Sequence, residues 1–274
     1  MEDKTLRKLQ LVETEMLETI ASFCKKHEIK YSLYAGTLLG AVRHGGFIPW
    51  DDDVDVFMER NEYDRFLALW EKEKPNGYHL DGTNHPDYSG NNHSKIRKDG
   101  TTLASLKEME KDCHHGIWID IFPFDKIPTD KKKRKKFIFK AKLRMVYTRG
   151  YPLKKGSKLL RILSRILLLP SRKTQLKIRN KYERQIITKY KDLHEGYEYM
   201  SLAAVENFGT YYPAEVVENL SEIKFETGVY TAVKDYHRML TIQYGNYMQL
   251  PPEKERICKH NPEVLEFGKN DKGE

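Results

Sequence analysis

Cysteine is scarce in this chain and follows no arrangement. Cys24, Cys113 and Cys258 stand far apart, are odd in number and form no C-x-x-C pair. That argues against a disulfide framework and for a reducing compartment. Long apolar runs are missing too, since no stretch reaches the ~20 apolar residues needed to span a bilayer. The opening Met1-Glu2-Asp3-Lys4 leads into a polar amphipathic stretch rather than the apolar core of a secretory signal. A cytoplasmic protein is expected, with a peripheral place on the inner face of the plasma membrane open to it. No internal repeat is present. Acid is nearly absent from one segment. From Lys126 to Lys191, 24 Lys and Arg face only Asp130 and Glu183, a charge of +22. The remainder carries 24 basic and 38 acidic residues, or −14, so the net +8 hides a basic segment set in an acidic protein. Such asymmetry points to an anionic surface, either membrane or nucleic acid.

What is present fits one large domain or two small ones, with enough apolar residues for a core. Leu9, Val12, Met16, Ile20 and Phe23 recur at helical spacing, so Lys4 to His27 reads as an amphipathic helix. Ile29 to Ala35 reads as a strand, broken by Gly36-Thr37, and Leu38 to Arg43 as a short helix before the turn His44-Gly45-Gly46. Asp53 to Met58 alternates polar and apolar, as a half-buried strand does. Asn61 is placed to cap the next helix, with Asp64 at its third position and Phe66, Leu67 and Trp70 inward. Short strands are expected near Tyr78, at Ser94–Arg97 and at Ile117–Ile121, with Pro123 ending the last. The order of elements implies α+β rather than a βαβ repeat. The expected division is a catalytic core over 1–125, a basic helical insert over 126–195, and a C-terminal part over 196–274 that completes the substrate site.

The chemistry concentrates in Trp50-Asp51-Asp52-Asp53-Val54-Asp55. In a strand, residues two apart share a face, so Asp53 and Asp55 project together and Asp51 can join them. Carboxylates on one face repel and remain ionised together only where a cation neutralises them. Hard oxygen ligands with open positions suit Mg²⁺ or Mn²⁺. The plain alternative is a solvated acidic loop, which the apolar framing by Pro49, Trp50, Val54 and Val56 argues against. Gly36-Thr37, about 15 residues upstream, offers a glycine turn and a helix N-terminus to a phosphate. Asp120 is a lone acid in the apolar run Ile117-Trp118-Ile119-Asp120-Ile121-Phe122-Pro123 and needs a partner, either a third metal-ligand role or a structural hydrogen bond. Lys95 and Arg97 share a strand face, Arg43 follows the short helix, and all three can hold a diphosphate or lie solvated. Cys113-His114-His115 offers zinc little, because adjacent residues diverge and no second pair is near. The aromatics Trp118, Tyr211, Tyr212, Tyr236, Tyr244 and Tyr247 can cage a quaternary ammonium or simply form core.

Tyr34-Ala35-Gly36-Thr37-Leu38-Leu39-Gly40-Ala41-Val42-Arg43-His44 followed by Phe47-Ile48-Pro49-Trp50-Asp51-Asp52-Asp53-Val54-Asp55 resembles the LicD family. So do Lys95-Ile96-Arg97 with Thr101-Thr102, Ile119-Asp120-Ile121-Phe122-Pro123, and a closing stretch with Tyr244-Gly245-Asn246-Tyr247-Met248, Leu250-Pro251-Pro252 and His260. The likeness runs from about Leu6 to His260, and Lys126–Lys191 carries none of its motifs. It implies a nucleotidyltransferase-like mixed sheet with flanking helices. It also implies transfer of a phospho-alcohol, often phosphocholine, from a CDP-activated donor such as CDP-choline to a sugar hydroxyl, with CMP released. Fukutin-type relatives transfer ribitol phosphate. On that basis Asp53, Asp55 and Asp120 are expected to be catalytic and, with Asp51, to hold Mg²⁺ or Mn²⁺. Gly36, Thr37, Arg43, Lys95 and Arg97 are expected at the donor phosphates, and His44, Trp50, Tyr244 and His260 at the substrate. The closing motif more often has an acid where Asn246 stands, so Asn246 receives no catalytic role. The expected acceptor is a lipid-linked glycan precursor of the cell wall or surface. A nucleotidyltransferase and a metal-dependent glycosyltransferase are the neighbouring enzyme readings.

Within the basic segment, Leu159, Ile162, Leu163, Ile166 and Leu167 form one helical stripe, with Lys154, Lys158, Arg161, Arg165 and Arg172 on the other side. A basic amphipathic helix on an anionic membrane is one reading, and a helix packed on the core with a solvated basic face is the other. A non-enzymatic nucleic-acid binder would need aromatic interleaving or a known module, neither evident, and leaves the aspartates unexplained, so no nucleic-acid partner is expected.

Overall fold

A computed structural model describes residues 2–82, 93–154, 156–203, 208–260 and 262–268. The chain runs through α1 (Asp3–Lys26), β1 (Ser32–Leu33), α2 (Ala35–His44), β2 (Asp55–Glu59), α3 (Arg60–Glu73), β3 (Tyr78–Asp81), β4 (Ser94–Lys98), β5 (Thr102–Ala104), the single turn α4 (Leu106–Met109) and β6 (Trp118–Pro128). The basic segment follows as α5 (Lys131–Arg149), α6 (Lys158–Leu167) and α7 (Arg172–Tyr190). Then come β7 (Tyr197–Ser201), β8 (Tyr212–Pro213), α8 (Ala214–Glu218), β9 (Leu220–Phe225), β10 (Gly228–Val233), α9 (Tyr236–Tyr244) and β11 (Val264–Glu266). The class is α+β, as expected. The chain divides into two compact units, one drawn from 1–89, 93–123 and 215–274, the other from 90–92 and 124–214.

In the first unit the strand order is β1-β2-β6-β4-β3. β4 runs antiparallel to the first half of β6, with Lys95 opposite Asp120 and Arg97 opposite Trp118. α1 buries Leu9, Met16, Ile20 and Phe23 of the stripe its periodicity marked, with Leu6 and Leu17 beside them, while Val12 is half-buried. Phe23, Phe66 and Trp70 pack edge to face or tilted between α1 and α3. β9 and β10 form an antiparallel hairpin, and β11 pairs with β5.

Local expectations were corrected at four places. The strand expected over Ile29 to Ala35 is only Ser32–Leu33, and helix α2 starts at Ala35, so Gly36-Thr37 opens the helix rather than breaking a strand. α3 starts at Arg60, which places Asn61 inside it, while Asp64 pairs with Arg60 one turn back. β6 does not stop at Pro123. It is paired with β4 through Ile121 and with β7 from Phe124, so neither neighbour asks an N–H of the proline. In the basic segment, α6 is shorter than the charge pattern implied. Lys154 lies before it, and Arg172 begins α7 and donates to the Tyr147 and Thr148 carbonyls.

In the second unit, β6 and β7 carry Ile127, Met200 and Leu202 against Phe137 and Ala141 of α5 and Ile186 and Tyr190 of α7. Both acids of the basic segment are engaged here. Asp130 caps α5 by accepting from the Lys133 N–H at 2.8 Å. Glu183 answers two buried guanidiniums, Arg144 at 3.3 Å and Arg179 at 3.4 Å. One of the two acids is thus placed where buried positive charge needs it, and the other at a helix N-terminus. Among the described residues no helix is long and apolar enough to cross a membrane.

Candidate active site

The aspartate run is clamped at both ends by backbone hydrogen bonds. The Asp51 N–H donates to the Ile48 carbonyl at 2.9 Å, and the Tyr34 N–H donates to the Asp55 carbonyl at 2.9 Å. The Asp55 N–H donates to Thr37 Oγ1 at 2.8 Å. The Asp120 N–H donates to the Val54 carbonyl at 3.0 Å, which brings β6 against the run. Only Asp55 is in a strand, so the convergence of Asp53 and Asp55 comes from these clamps and not from strand parity. One oxygen from each of Asp53, Asp55 and Asp120 lies within 4.8 Å of the others. A second such group is formed by Asp52, Asp53 and a ring nitrogen of His260.

Gly36 is needed by an acid rather than by a phosphate alone. A Cβ there would stand 2.5 Å from Asp51 Oδ2. The residue before it, Ala35, has a φ of +46°, a left-handed conformation unusual for alanine and typical of a chain held tightly at a site. Thr37 is spent on Asp55. The opening of α2 therefore serves to position the aspartates.

The charges in this cluster are not balanced by the protein. Burial first, then repulsion from Asp53, pushes the Asp51 carboxyl up to about 7. Burial and the neighbouring acids raise Asp55 well above the ordinary range, and burial raises Asp53 although His260 opposes it. Asp120 is different. Burial works to raise it, but Lys95 at 2.8 Å and His93 at 2.9 Å prevail and hold it below the usual carboxylate range. Three carboxylates with converging oxygens, Asp55 and Asp120 buried and Asp53 partly so, fit a hard divalent cation such as Mg²⁺ or Mn²⁺, since Asp120 is held by Lys95 and His93 while Asp53 pairs only with His260, at 3.9 Å, among the described residues.

The other expected site residues are distributed as follows. Lys95 contacts Asp120 and lies over the Trp118 ring at 4.0 Å, so Trp118 already has a cation on its face. Arg97 is buried and committed, with Nε on Asp81 at 3.2 Å and a terminal nitrogen on the Gly116 carbonyl at 3.1 Å. Arg43 donates to the Tyr247 carbonyl at 2.8 Å and to His44 Nε2 at 3.0 Å. The His44 and Trp50 rings meet edge to face at 6.5 Å, and Arg256 lies over Trp50 at 5.6 Å. His260 holds Asp52 through its N–H and through Nδ1, both at 3.2 Å, and its pKa is raised chiefly by that side-chain hydrogen bond. Tyr244 is half exposed at the end of α9. Of the aromatics, Tyr212 is buried against Phe124 and Tyr247 bonds His237, as core residues do. His114 is held by Asp99 at 3.0 Å, and no metal-holding group among the described residues includes Cys113, His114 or His115.

Sequence reading missed three members of this site. His93 flanks the basic strand without a motif of its own. Asp52 stood in the run but received no role, and it is the acid His260 binds. Glu13 is fully buried on α1, and neither carboxylate oxygen has a hydrogen-bond partner. Burial first, then the charges of Asp53, Asp52, Asp51 and Asp120, raise its pKa well above the ordinary range. A glutamate between Leu9 and Met16 on the inward stripe of α1 was the available signal.

Fold and site together define an α+β enzyme built around a buried acidic cluster. The family described as LicD/FKTN/FKRP, nucleotidyltransferase domain, matches residues 28–155. The chain is 31% identical over 279 residues to the lipopolysaccharide cholinephosphotransferase LicD of Haemophilus influenzae, covering 96% of this chain and 99% of that protein. Shorter likenesses join it to uncharacterized proteins of Rickettsia typhi (40% over 66 residues, 24% of this chain and 21% of that protein) and Rickettsia prowazekii (48% over 42 residues, 15% and 16%). The chain belongs to the LicD family and is a phosphotransferase.

Proposed function

We propose that this enzyme transfers phosphocholine, or a closely similar phospho-alcohol, from a CDP-activated donor to a hydroxyl of a surface glycan. The full-length likeness to a lipopolysaccharide cholinephosphotransferase supports the transferred group and the glycan acceptor. The observation that carries the chemistry is the convergence of Asp53, Asp55 and Asp120 beside Lys95 and His93. In this reading Asp53, Asp55 and Asp120 hold Mg²⁺ or Mn²⁺ with Asp51 assisting. When bound, the cation supplies neutralisation of the donor diphosphate. The acceptor oxygen attacks the phosphorus nearer the alcohol, the bond to the CMP oxygen breaks, and the hydroxyl proton leaves with the CMP phosphate. Asp120, kept anionic by Lys95 and His93, is a weak base and serves to complete the site. Lys95 is the better placed of the two strand cations to meet a donor phosphate, since it lies on Asp120 of the converging carboxylates, whereas Arg97 lies on Asp81, outside that group. The acceptor is read as lipid-linked, and the work as done at the cytoplasmic face of a membrane.

Incubation with a panel of CDP-alcohols and Mg²⁺, scored for CMP, tests this. CMP release with CDP-choline and a glycan acceptor is expected. Pyrophosphate release from a nucleoside triphosphate would assign a nucleotidyltransferase, and nucleoside diphosphate release from a nucleotide sugar a glycosyltransferase.

A further inference from the structure

We propose that α6 is a membrane-surface helix, whose leucine and isoleucine face enters the headgroup boundary of an anionic bilayer. The observation is an inversion of the usual packing. A helix on a globular core turns its leucines inward and its small polar residues outward. In α6 the one buried residue is Ser164, 3% exposed, which accepts from the Leu153 N–H at 3.0 Å and donates to the Arg161 carbonyl at 2.8 Å. The apolar stripe lies open instead, with Leu159 66% exposed and Ile166 55%, and Leu160, Ile162 and Leu163 exposed beside them. Just beyond the helix Leu169 continues the patch. The reading of this stripe as core is therefore set aside by its exposure.

The charge around the face selects its occupant. Lys158, Arg161 and Arg165 are exposed along one flank, and the segment from Lys126 to Lys191 carries +22. A second copy of this chain would bring the same flank against itself, like charge on like charge. A nucleic acid would meet the charge but leave the leucines in water. An anionic lipid surface satisfies both, since the acyl boundary takes the leucine and isoleucine side chains and the headgroups take the lysines and arginines. Helix α6 has ten residues and lies in the interface rather than crossing it. Ser157, whose side chain accepts from the Leu160 N–H at 3.3 Å, caps its start.

This inference deepens the lipid-linked acceptor reading and rests on it for its purpose, so the experiment separates the two. The full chain is sedimented with vesicles of phosphatidylcholine alone or mixed with phosphatidylglycerol, at rising salt. Binding to the anionic vesicles is expected, falling as salt rises because the Debye length shrinks below its ~8 Å physiological value, with little binding to neutral vesicles. The variant Leu163→Ser/Ile166→Ser is expected to bind about tenfold more weakly, with a melting temperature within a few degrees of wild type because both side chains are already about half exposed. Its CMP release with a small soluble acceptor should match wild type. Equal partitioning of wild type and variant onto anionic vesicles overturns the proposal. So does a soluble dimer that the double substitution disperses, which would give the face to a second copy. Failure of CMP release by both proteins overturns the transfer reading and leaves the vesicle result to stand or fall alone.

Discussion

Replacing Asp55 with asparagine separates what this carboxylate does for the fold from what it does for the reaction. The amide is nearly isosteric, and the backbone contact from the Asp55 N–H to Thr37 is untouched. In metal-free protein Asp55 is a liability, because burial and then Asp53, Asp120 and Asp51 all disfavour its charge. Asp55→Asn should therefore melt at the wild-type temperature or above it. With Mg²⁺ at a hundred times its Kd, wild type gains about 2.7 kcal/mol. At ~2–4 °C per kcal/mol for a domain of roughly this size, that is a rise of about 5–11 °C. The variant lacks one of three converging oxygens and should rise by less than about 2 °C at the same metal concentration. Several kcal/mol of charge stabilisation is at stake, so turnover should fall by about 10²-fold or more. Paired calorimetry and CMP-release assays read both effects. A variant that turns over within about threefold of wild type at saturating metal, or shows the same metal-induced rise, refutes the assignment.

Lys95→Ala should raise the donor KM by about 10–100-fold through loss of a charge-assisted contact worth about 1.5–3 kcal/mol. By contrast Arg97→Ala should leave donor KM near wild type and lower stability by about 1.5–3 kcal/mol, since it removes the buried guanidinium that pairs with Asp81; a donor-specific defect in Arg97→Ala would return it to the phosphates. Gly36→Ala places a Cβ on the Asp51 carboxylate. Alanine favours the helix by about 1 kcal/mol, so stability should be nearly unchanged while turnover drops, and normal kinetics would show that Asp51 is dispensable. Glu226 accepts from Arg7 at 2.6 Å and from the Phe47 N–H at 3.1 Å, and the Arg7 contact chiefly depresses its pKa. Its contribution is therefore present above the unfolded pKa of about 4.3 and is lost as pH falls through the lower folded value. Glu226→Gln should cost about 1 kcal/mol at pH 7 and nothing once wild-type Glu226 is protonated; a melting-temperature gap that persists in acid would disprove this linkage.

Parts of the site were legible because they are adjacent in the chain. Asp51, Asp53 and Asp55 lie within five positions, and their chemistry as hard oxygen ligands needs no fold to be recognised. The bareness of Asp120 among Ile117, Trp118, Ile119 and Ile121 likewise announced a partner. The partners themselves were not legible. Arg97 and Lys95 look equivalent two residues apart, yet Arg97 reaches diagonally to Asp81 on β3 and Lys95 bonds the directly opposite Asp120 on β6. Strand parity was the wrong reason for the convergence of Asp53 and Asp55, which rests on hydrogen bonds from α2 and β6.

By itself, then, the sequence determined the α+β class, the inward face of α1, the acidic run and the isolation of positive charge in one segment. Each of these depends on side-chain type and short spacing, and periodicity or local charge density carries that information directly. Tertiary structure alone decided which carboxyls share a site with His93, His260 and Glu13, since those partners lie 27, 208 and about 40 residues from the acids they meet. It also decided which way α6 faces. A stripe of leucine and isoleucine is the same pattern whether it meets a core or stands in solvent, and only the burial of Ser164 on the opposite edge tells the two apart.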